Sequence, residues 1–193
     1  MTPTLDRTAA TDAPILDVLA ERWSTRVFDA DTPIDESALA AALEAARWAP
    51  TAANTQPWRV IVARRGTSAH TRIAESLAGF NRAWAPAAGA LVVFVAETER
   101  DGRPMDWALY DTGQAAAHFT VQAHADGLYT HQMGGFDRDA VRAAFGLPAT
   151  LTPVTVMAVG VYGDLDEAPA ELREREAAPR LRRPISESTI VDA

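Results

Sequence analysis

Apolar residues recur along the chain at two spacings, every third or fourth position and every second one, and the switches between them lay out the elements. Ile15, Leu16, Val18 and Leu19 give an apolar side to a helix predicted from Pro14 to about Trp23. A second helix is expected to open at Asp35, whose carboxylate can cap free NH groups, and to run through Leu39, Leu43 and Ala46. Pro50 ends it, because the residue before a proline is pushed out of helical geometry. "PWRVIVARR" then alternates Trp58, Val60 and Val62 against Arg59, Ile61 and Ala63, as a strand does. A short helix around Ile73 to Leu77 leads to "GALVVFVAE", whose unbroken apolar run suits a strand buried on both faces. From about Met105 to Asp126 there is no proline and Gly127 follows, which predicts one long helix through the core. "LYTHQM" reads as a short strand, "DRDAVRAAFG" as a helix with Asp137 as cap and Gly146 as stop, and "TPVTVMAVGVYG" as another central strand.

These elements predict an α+β chain, a mixed sheet of four or five strands wrapped by helices, and 193 residues suit a single domain. Residues 1–13 lack an apolar pattern and are expected to be disordered. From about Asp164 the core pattern fades into a polar tail, too polar to pack alone, which must lie along something else.

Composition narrows the chemistry by exclusion. With no cysteine, disulfides, thiolate nucleophiles and cysteine-bound metal clusters are removed. All 18 basic residues are arginine, so lysine Schiff bases are excluded and a phosphate must be held by guanidinium forks or backbone NH groups. A formal charge of -8 argues against nonspecific nucleic-acid binding, which depends on many basic contacts. The longest apolar run, "AAGALVVFVA", falls short of the roughly 20 residues that cross a bilayer. The amino-terminal stretch has no apolar signal core, so no membrane partner and a cytoplasmic location are expected.

No GxSxG elbow, P-loop, HExxH or GxGxxG appears. His118 and His124 stand six apart on one predicted helix, about 240° around its axis, so they cannot share a metal. What remains is four polar clusters at element ends. "RWSTR" offers Arg22, Ser24 and Arg26, two guanidiniums around a hydroxyl, which suit an anion or simply a solvated helix end. "APTAANTQPW" adds Thr51, Asn54 and Gln56 on irregular backbone; carboxamides match the edge of a heteroaromatic ring, and they also serve ordinary turns. "HQMGGFD" places Gly134 and Gly135 after a strand, where paired glycines permit close approach to a flat ligand or form a turn. "PRLRRP" puts Arg180, Arg182 and Arg183 in the tail, a second basic patch or a soluble end.

In order and spacing, "RWSTR", "APTAANTQPW", "GLYTHQMGGF" and "RLRRP" together resemble the flavin mononucleotide (FMN)-dependent nitroreductase family, from about Leu16 to Val191. The resemblance implies a fold of four strands plus one C-terminal strand exchanged from a partner, and a homodimer with two flavin sites at its interface. "STIVD" looks like that exchanged strand, in a tail over 164–193 that packs on the partner. Arg22 and Ser24 would then hold the phosphate and ribityl end, with Trp23 between them, and Arg26 would approach the N1 and C2 carbonyl edge. Thr51, Asn54 and Gln56 would meet the partner's flavin across the interface. Asn81 would reach the pyrimidine edge. The backbone at Met133, Gly134 and Gly135 would lie beside N5, Gln132 would also bind the cofactor, and Arg180 and Arg182 would close on the phosphate.

The implied activity is a ping-pong transfer of hydride from a transient NADH or NADPH donor through the flavin to a small nitroaromatic, quinone or similar acceptor. Specialised flavin chemistry on the same fold, such as dehalogenation, ring dehydrogenation or flavin cleavage, and a non-catalytic flavin-storing role are the alternatives. Trp107 and Tyr110, near the start of the long helix, are candidates for a substrate lid or for core packing.

Overall fold

A computed structural model of the chain describes residues 6–191. Its elements follow in the order α1 (Asp17–Glu21), α2 (Glu36–Arg47), β1 (Trp58–Arg64), α3 (Ser68–Ser76), α4 (Asn81–Trp84) and β2 (Ala90–Glu97). After these come β3 (Glu99–Arg100), β4 (Arg103–Pro104), α5 (Ala108–Ala125), β5 (Tyr129–Met133), α6 (Arg138–Phe145), β6 (Leu151–Gly160) and α7 (Ala170–Ala177).

One four-stranded sheet, in the order β1-β2-β6-β5, organises the chain. Its strands pair antiparallel throughout, Val93 facing Val156 and Val62 facing Val92, so a mixed sheet would need its parallel pairing from an added strand. β2 is buried on both faces, and its period of two divides the core. Leu91, Val93 and Val95 face Ile73, Leu77, Trp84 and Val141, while Ala90, Val92 and Phe94 face Leu39, Ala42, Phe119 and Ala123 of α2 and α5. Alanines at 38, 42, 46, 115, 116 and 123 let α2 and α5 approach that second face closely. The ladder slips between Phe94 and Val95, where Pro153 of β6, which has no NH to donate, stands opposite Val95.

Capping follows the sequence closely at two helices. Asp35 accepts from the NH groups of Ser37 and Ala38, and Asp137 from those of Asp139 and Ala140. Gly146 stops α6 at φ 61°, a conformation costly for other residues.

Other boundaries differ from the periodicity. α1 is a single turn rather than a helix to Trp23; Ile15, Leu16 and Leu19 are exposed, and backbone from Arg22 is extended. Thr67 caps α3 early, accepting from the NH of His70, so this helix begins before Ile73. The hairpin of β3 and β4 was not anticipated, although its turn residues Asp101 (φ 53°) and Gly102 (φ 73°) are the pair such a turn favours. α7 is helical within the 164–193 tail, which was expected to run extended along the partner; Leu172 joins the core of its own chain and Glu176 bonds Trp23 and Arg26. Residues 1–5 of the expected disordered start lie outside the described residues, as does Asp192 of the proposed exchanged strand. Arg7 bonds to the carbonyls of Glu176 and Ala178, and the NH of Ala9 bonds to Ala20 at 2.9 Å.

Gly160 marks where sheet and flanking loop touch: a Cβ there would stand 2.8 Å from the backbone nitrogen of Gly89 and 3.2 Å from the Phe28 ring. Backbone cannot yield as a side chain can. Gly160→Ala is expected to lower unfolding free energy by about 1–3 kcal/mol, the usual cost of overpacking, measured by urea denaturation. Unchanged stability would mean that this contact relaxes freely.

Candidate functional site

Residues 22–27 form an extended segment in which exposure alternates. Trp23, Thr25 and Val27 are buried, while Arg22, Ser24 and Arg26 face outward. The period of two is that of a strand, and it places three polar side chains on one side of the backbone. Glu176 of α7 holds the segment in this form. It is only 2% exposed, one carboxylate oxygen accepting from the indole NH of Trp23 at 2.9 Å and the other from the backbone NH of Arg26 at 2.7 Å.

In front of Glu176 lies a cavity of about 350 Å³ lined by six arginines, at 7, 22, 26, 175, 180 and 182, together with Ser24. Among the described residues Glu176 is the one carboxylate that lines it. The arginines divide by what they bond. The Arg180 guanidinium donates to the carbonyls of Ala20 (2.7 Å), Arg22 (2.8 Å) and Arg7, so it braces backbone. Arg7 ties the carbonyls of Glu176 and Ala178, and Arg175 pairs with Glu171 at 3.1 Å. Arg22, Arg26 and Arg182 form no ion pair among the described residues. Burial, followed by the charges of Arg180 and Arg182, pushes the Arg22 pKa down. For Arg26 the causes are burial and Arg175, opposed by Glu176. Arginine nonetheless stays protonated, so these shifts express first burial and then the crowding of like charge, and an anion would relieve the second.

Asn81 meets the second glycine of the pair at 134–135. Asn81 Nδ2 donates to the carbonyl of Gly135 at 3.2 Å, and a Cβ on Gly135 would stand 3.0 Å from that same nitrogen. Gly134 has open space where a Cβ would be. Met133 is buried at the end of β5, and Gln132 Nε2 reaches the Thr120 hydroxyl at 3.3 Å. Trp84, 2% exposed and on α4 with Asn81, lies near both Arg26, whose Cζ stands 6.0 Å from its ring centre, and the His131 ring at 4.6 Å. Burial lowers the His131 pKa to about 4, and its Nδ1 stands 2.8 Å from the carbonyl of Thr25, so a neutral ring with a proton on Nδ1 fits the site.

The segment 51–57 stands apart. Ala53 (φ 49°), Asn54 (φ 56°) and Gln56 (φ 47°) all adopt left-handed backbone. For residues other than glycine this costs roughly 1–2 kcal/mol each, so three in four positions are a real store of strain. Thr51 Oγ1 donates to Asp111 Oδ2 at 2.8 Å, and the NH of Ala52 reaches the same oxygen at 2.9 Å. Asn54 and Gln56 are exposed and bond each other, Gln56 Nε2 to Asn54 Oδ1 at 3.0 Å. Among the described residues no hydrogen bond joins this loop to the arginine cavity of its own chain. Trp107 and Tyr110, at the start of α5, are both 62% exposed and meet edge to face at 5.9 Å rather than packing in the core.

The structure thus gathers Arg22, Ser24, Arg26, Arg180 and Arg182 at one cavity and brings Asn81 to Gly135, whereas the Gln132 side chain turns to Thr120 of α5. Trp23 lines the same cavity but spends its indole NH on Glu176. Sequence reasoning missed Glu176 and Asp111. Glu176 sits among other charges in "LREREA" and carries no local signal. Asp111 could have been found: it shares a helix face with Ala108 and Ala115, a carboxylate on a buried stripe.

Among the described residues there is no group of three histidine, cysteine or acidic side chains able to hold a metal ion, and no helix long and apolar enough to cross a membrane.

The nitroreductase family model matches residues 19–161. An uncharacterized 15.4 kDa protein of Mycolicibacterium smegmatis is 37% identical over 131 residues, covering 64% of this chain and 88% of the relative. An NADH dehydrogenase of Thermus thermophilus is 28% identical, covering 76% of this chain and 87% of its own. Among solved structures, an oxidoreductase containing FMN superposes with a TM-score of 0.88 at 29% identity, covering 97% of this chain and 96% of that one.

Removing the Glu176 carboxylate leaves two buried donors without partners. Glu176→Ala is expected to lower stability by about 2–5 kcal/mol, with Glu171→Ala changing it little because its pair with Arg175 is exposed. Denaturant midpoints of the two variants measure the contrast, and equal midpoints would show that Glu176 does not hold the segment.

Proposed function

The chain belongs to the nitroreductase family, and from that premise we propose that it is an FMN-dependent oxidoreductase acting as a homodimer. Its donor is NADH or NADPH, and its acceptor a nitroaromatic, a quinone or a similar conjugated molecule. The observation that carries this reading is the arginine cavity. Arg22, Arg26 and Arg182 crowd together without an acidic partner, Ser24 adds a hydroxyl, and the set consists almost wholly of hydrogen-bond donors. Such a lining suits a phosphate monoester. The FMN-containing solved structure and the NADH dehydrogenase relative support the same cofactor and donor class.

In this reading Arg22, Arg182 and Ser24 take the phosphate end, while Arg180 keeps the backbone of Arg22 in place. FMN held there would supply the hydride chemistry through its N5 atom. The chain contributes position and field. Arg26, held near Trp84 and bonded through its NH to Glu176, offers fixed positive charge where negative charge gathers on reduction, which raises the reduction potential. The open backbone at Gly134 leaves room for a flat ring, and Asn81, bonded to the Gly135 carbonyl, stands next to it. Thr51, half-buried against Asp111, and the exposed Asn54 and Gln56, none of them bonded to their own cavity, serve the pocket of the partner subunit. Trp107 and Tyr110 present exposed aromatic surface at the start of α5 for stacking with acceptors. Donor and acceptor visit a common face in turn, which makes the kinetics ping-pong.

Arg22→Ala and Arg182→Ala are each expected to weaken FMN affinity at least about tenfold, or about 1.4 kcal/mol, in fluorescence titrations. The loaded protein is expected to bleach anaerobically with NADH or NADPH. Full retention of FMN by both variants would remove the phosphate from this cavity. A yellow protein that neither donor bleaches would be a flavin-binding module instead.

A further inference from the structure

We propose that Asp111 is a positioning residue that sets the shape of the loop at 51–57, and that it acts on the flavin pocket of the partner subunit rather than on that of its own chain. The second half rests on the reading given under Proposed function. The first half stands on this chain's geometry.

Asp111 is 2% exposed and forms no ion pair among the described residues. A buried carboxylate without a cation is costly and persists only where donors satisfy it. Here the donors are the Thr51 hydroxyl and the Ala52 NH, both directed at a single oxygen, Oδ2. They come from the two residues that immediately precede the left-handed run at Ala53, Asn54 and Gln56. The same hydroxyl of Thr51 then accepts from the NH of Gln56 at 3.1 Å, so one chain of bonds runs from Asp111 to Thr51 to Gln56 across the strained residues. One turn further along α5, Gln114 Nε2 contacts the carbonyl of Pro50 at 3.5 Å.

The helix therefore holds the entrance of the strained stretch directly, at Pro50, Thr51 and Ala52, and reaches its far end at Gln56 through the Thr51 hydroxyl, while the Asn54 and Gln56 side chains stay exposed. Strained backbone keeps its conformation only when its surroundings over-determine it. Without the Asp111 oxygen the loop gains freedom to relax, and the exposed carboxamides lose the orientation that a planar ligand edge requires. Because relaxation also releases strain, the folded chain loses less stability than the ligand loses affinity.

The convergence of both donors on one oxygen makes the test discriminating. Asp111→Asn can offer its amide oxygen to both donors and is expected to bind FMN within about threefold of the wild type. Asp111→Ala is expected to weaken FMN at least about tenfold, with a small shift in the melting temperature of the apoprotein. Asp111→Leu, similar in volume but unable to accept, substitutes if the alanine variant does not fold. Wild-type affinity in the alanine or leucine variant overturns the anchoring role.

A mixed dimer then locates the effect. One subunit carries Arg22→Ala and the other Asp111→Ala, each with a different purification tag. If Asp111 serves the other subunit, both defects fall on the same pocket, and the dimer binds one FMN with wild-type affinity. If it serves its own subunit, each pocket is damaged and no wild-type site remains. That second result overturns the shared pocket, and it is distinguishable from failure of the anchor because the Asp111→Ala homodimer reads the anchor by itself.

Discussion

The arginine cavity depends on one carboxylate. Three guanidiniums without acidic partners do not gather around a small space unaided, since like charges and burial both oppose it. Glu176 resolves this by bonding backbone and indole NH groups rather than neutralising any single arginine: it takes the Arg26 NH and the Trp23 ring NH and so fixes the alternation that turns Arg22, Ser24 and Arg26 outward. Arg180 completes the frame by spending its own donors on carbonyls of the same segment. The charge that remains free is then held ready for an anion, and the cost of assembling it is met by the fold before any ligand arrives.

A second buried carboxylate plays a comparable part elsewhere. Asp111 lies on the opposite face of the sheet from α7, on the helix that packs with α2, and it bonds to strained loop backbone instead of to charge. Each acid is almost wholly buried, and each is satisfied by donors from a segment that displays polar side chains outward. In the proposed dimer the two segments complete one pocket from different subunits. The core of each chain would thus shape both its own site and its partner's.

Much of this could be read in the sequence, for physical reasons that differ by element. The central strands were legible because long apolar runs have few alternatives, α5 because no proline interrupts it before Gly127, and Asp35, Asp137 and Gly146 announced helix ends through bonds they make themselves. α1 was overestimated because Ile15, Leu16 and Leu19 form an apolar side that their own chain does not cover. α7 was missed because "AELREREA" has almost no apolar stripe; its docking depends on Leu172 and on the buried Glu176, whose partners lie about 150 residues earlier in the chain. The candidate site followed the same rule. Its displayed residues occur in compact motifs, whereas the residues that position them are dispersed and invisible to local pattern. Arg180 illustrates the difference: its place at the cavity was legible, but its use as a backbone brace was not.

The most direct test of the central claim is to titrate the purified apoprotein with FMN while following its mass by analytical ultracentrifugation. A dimer that binds two FMN molecules, with affinity falling as dilution separates the subunits, is the expected result. A chain that stays monomeric and binds FMN tightly, or a dimer that takes up none, would contradict the account.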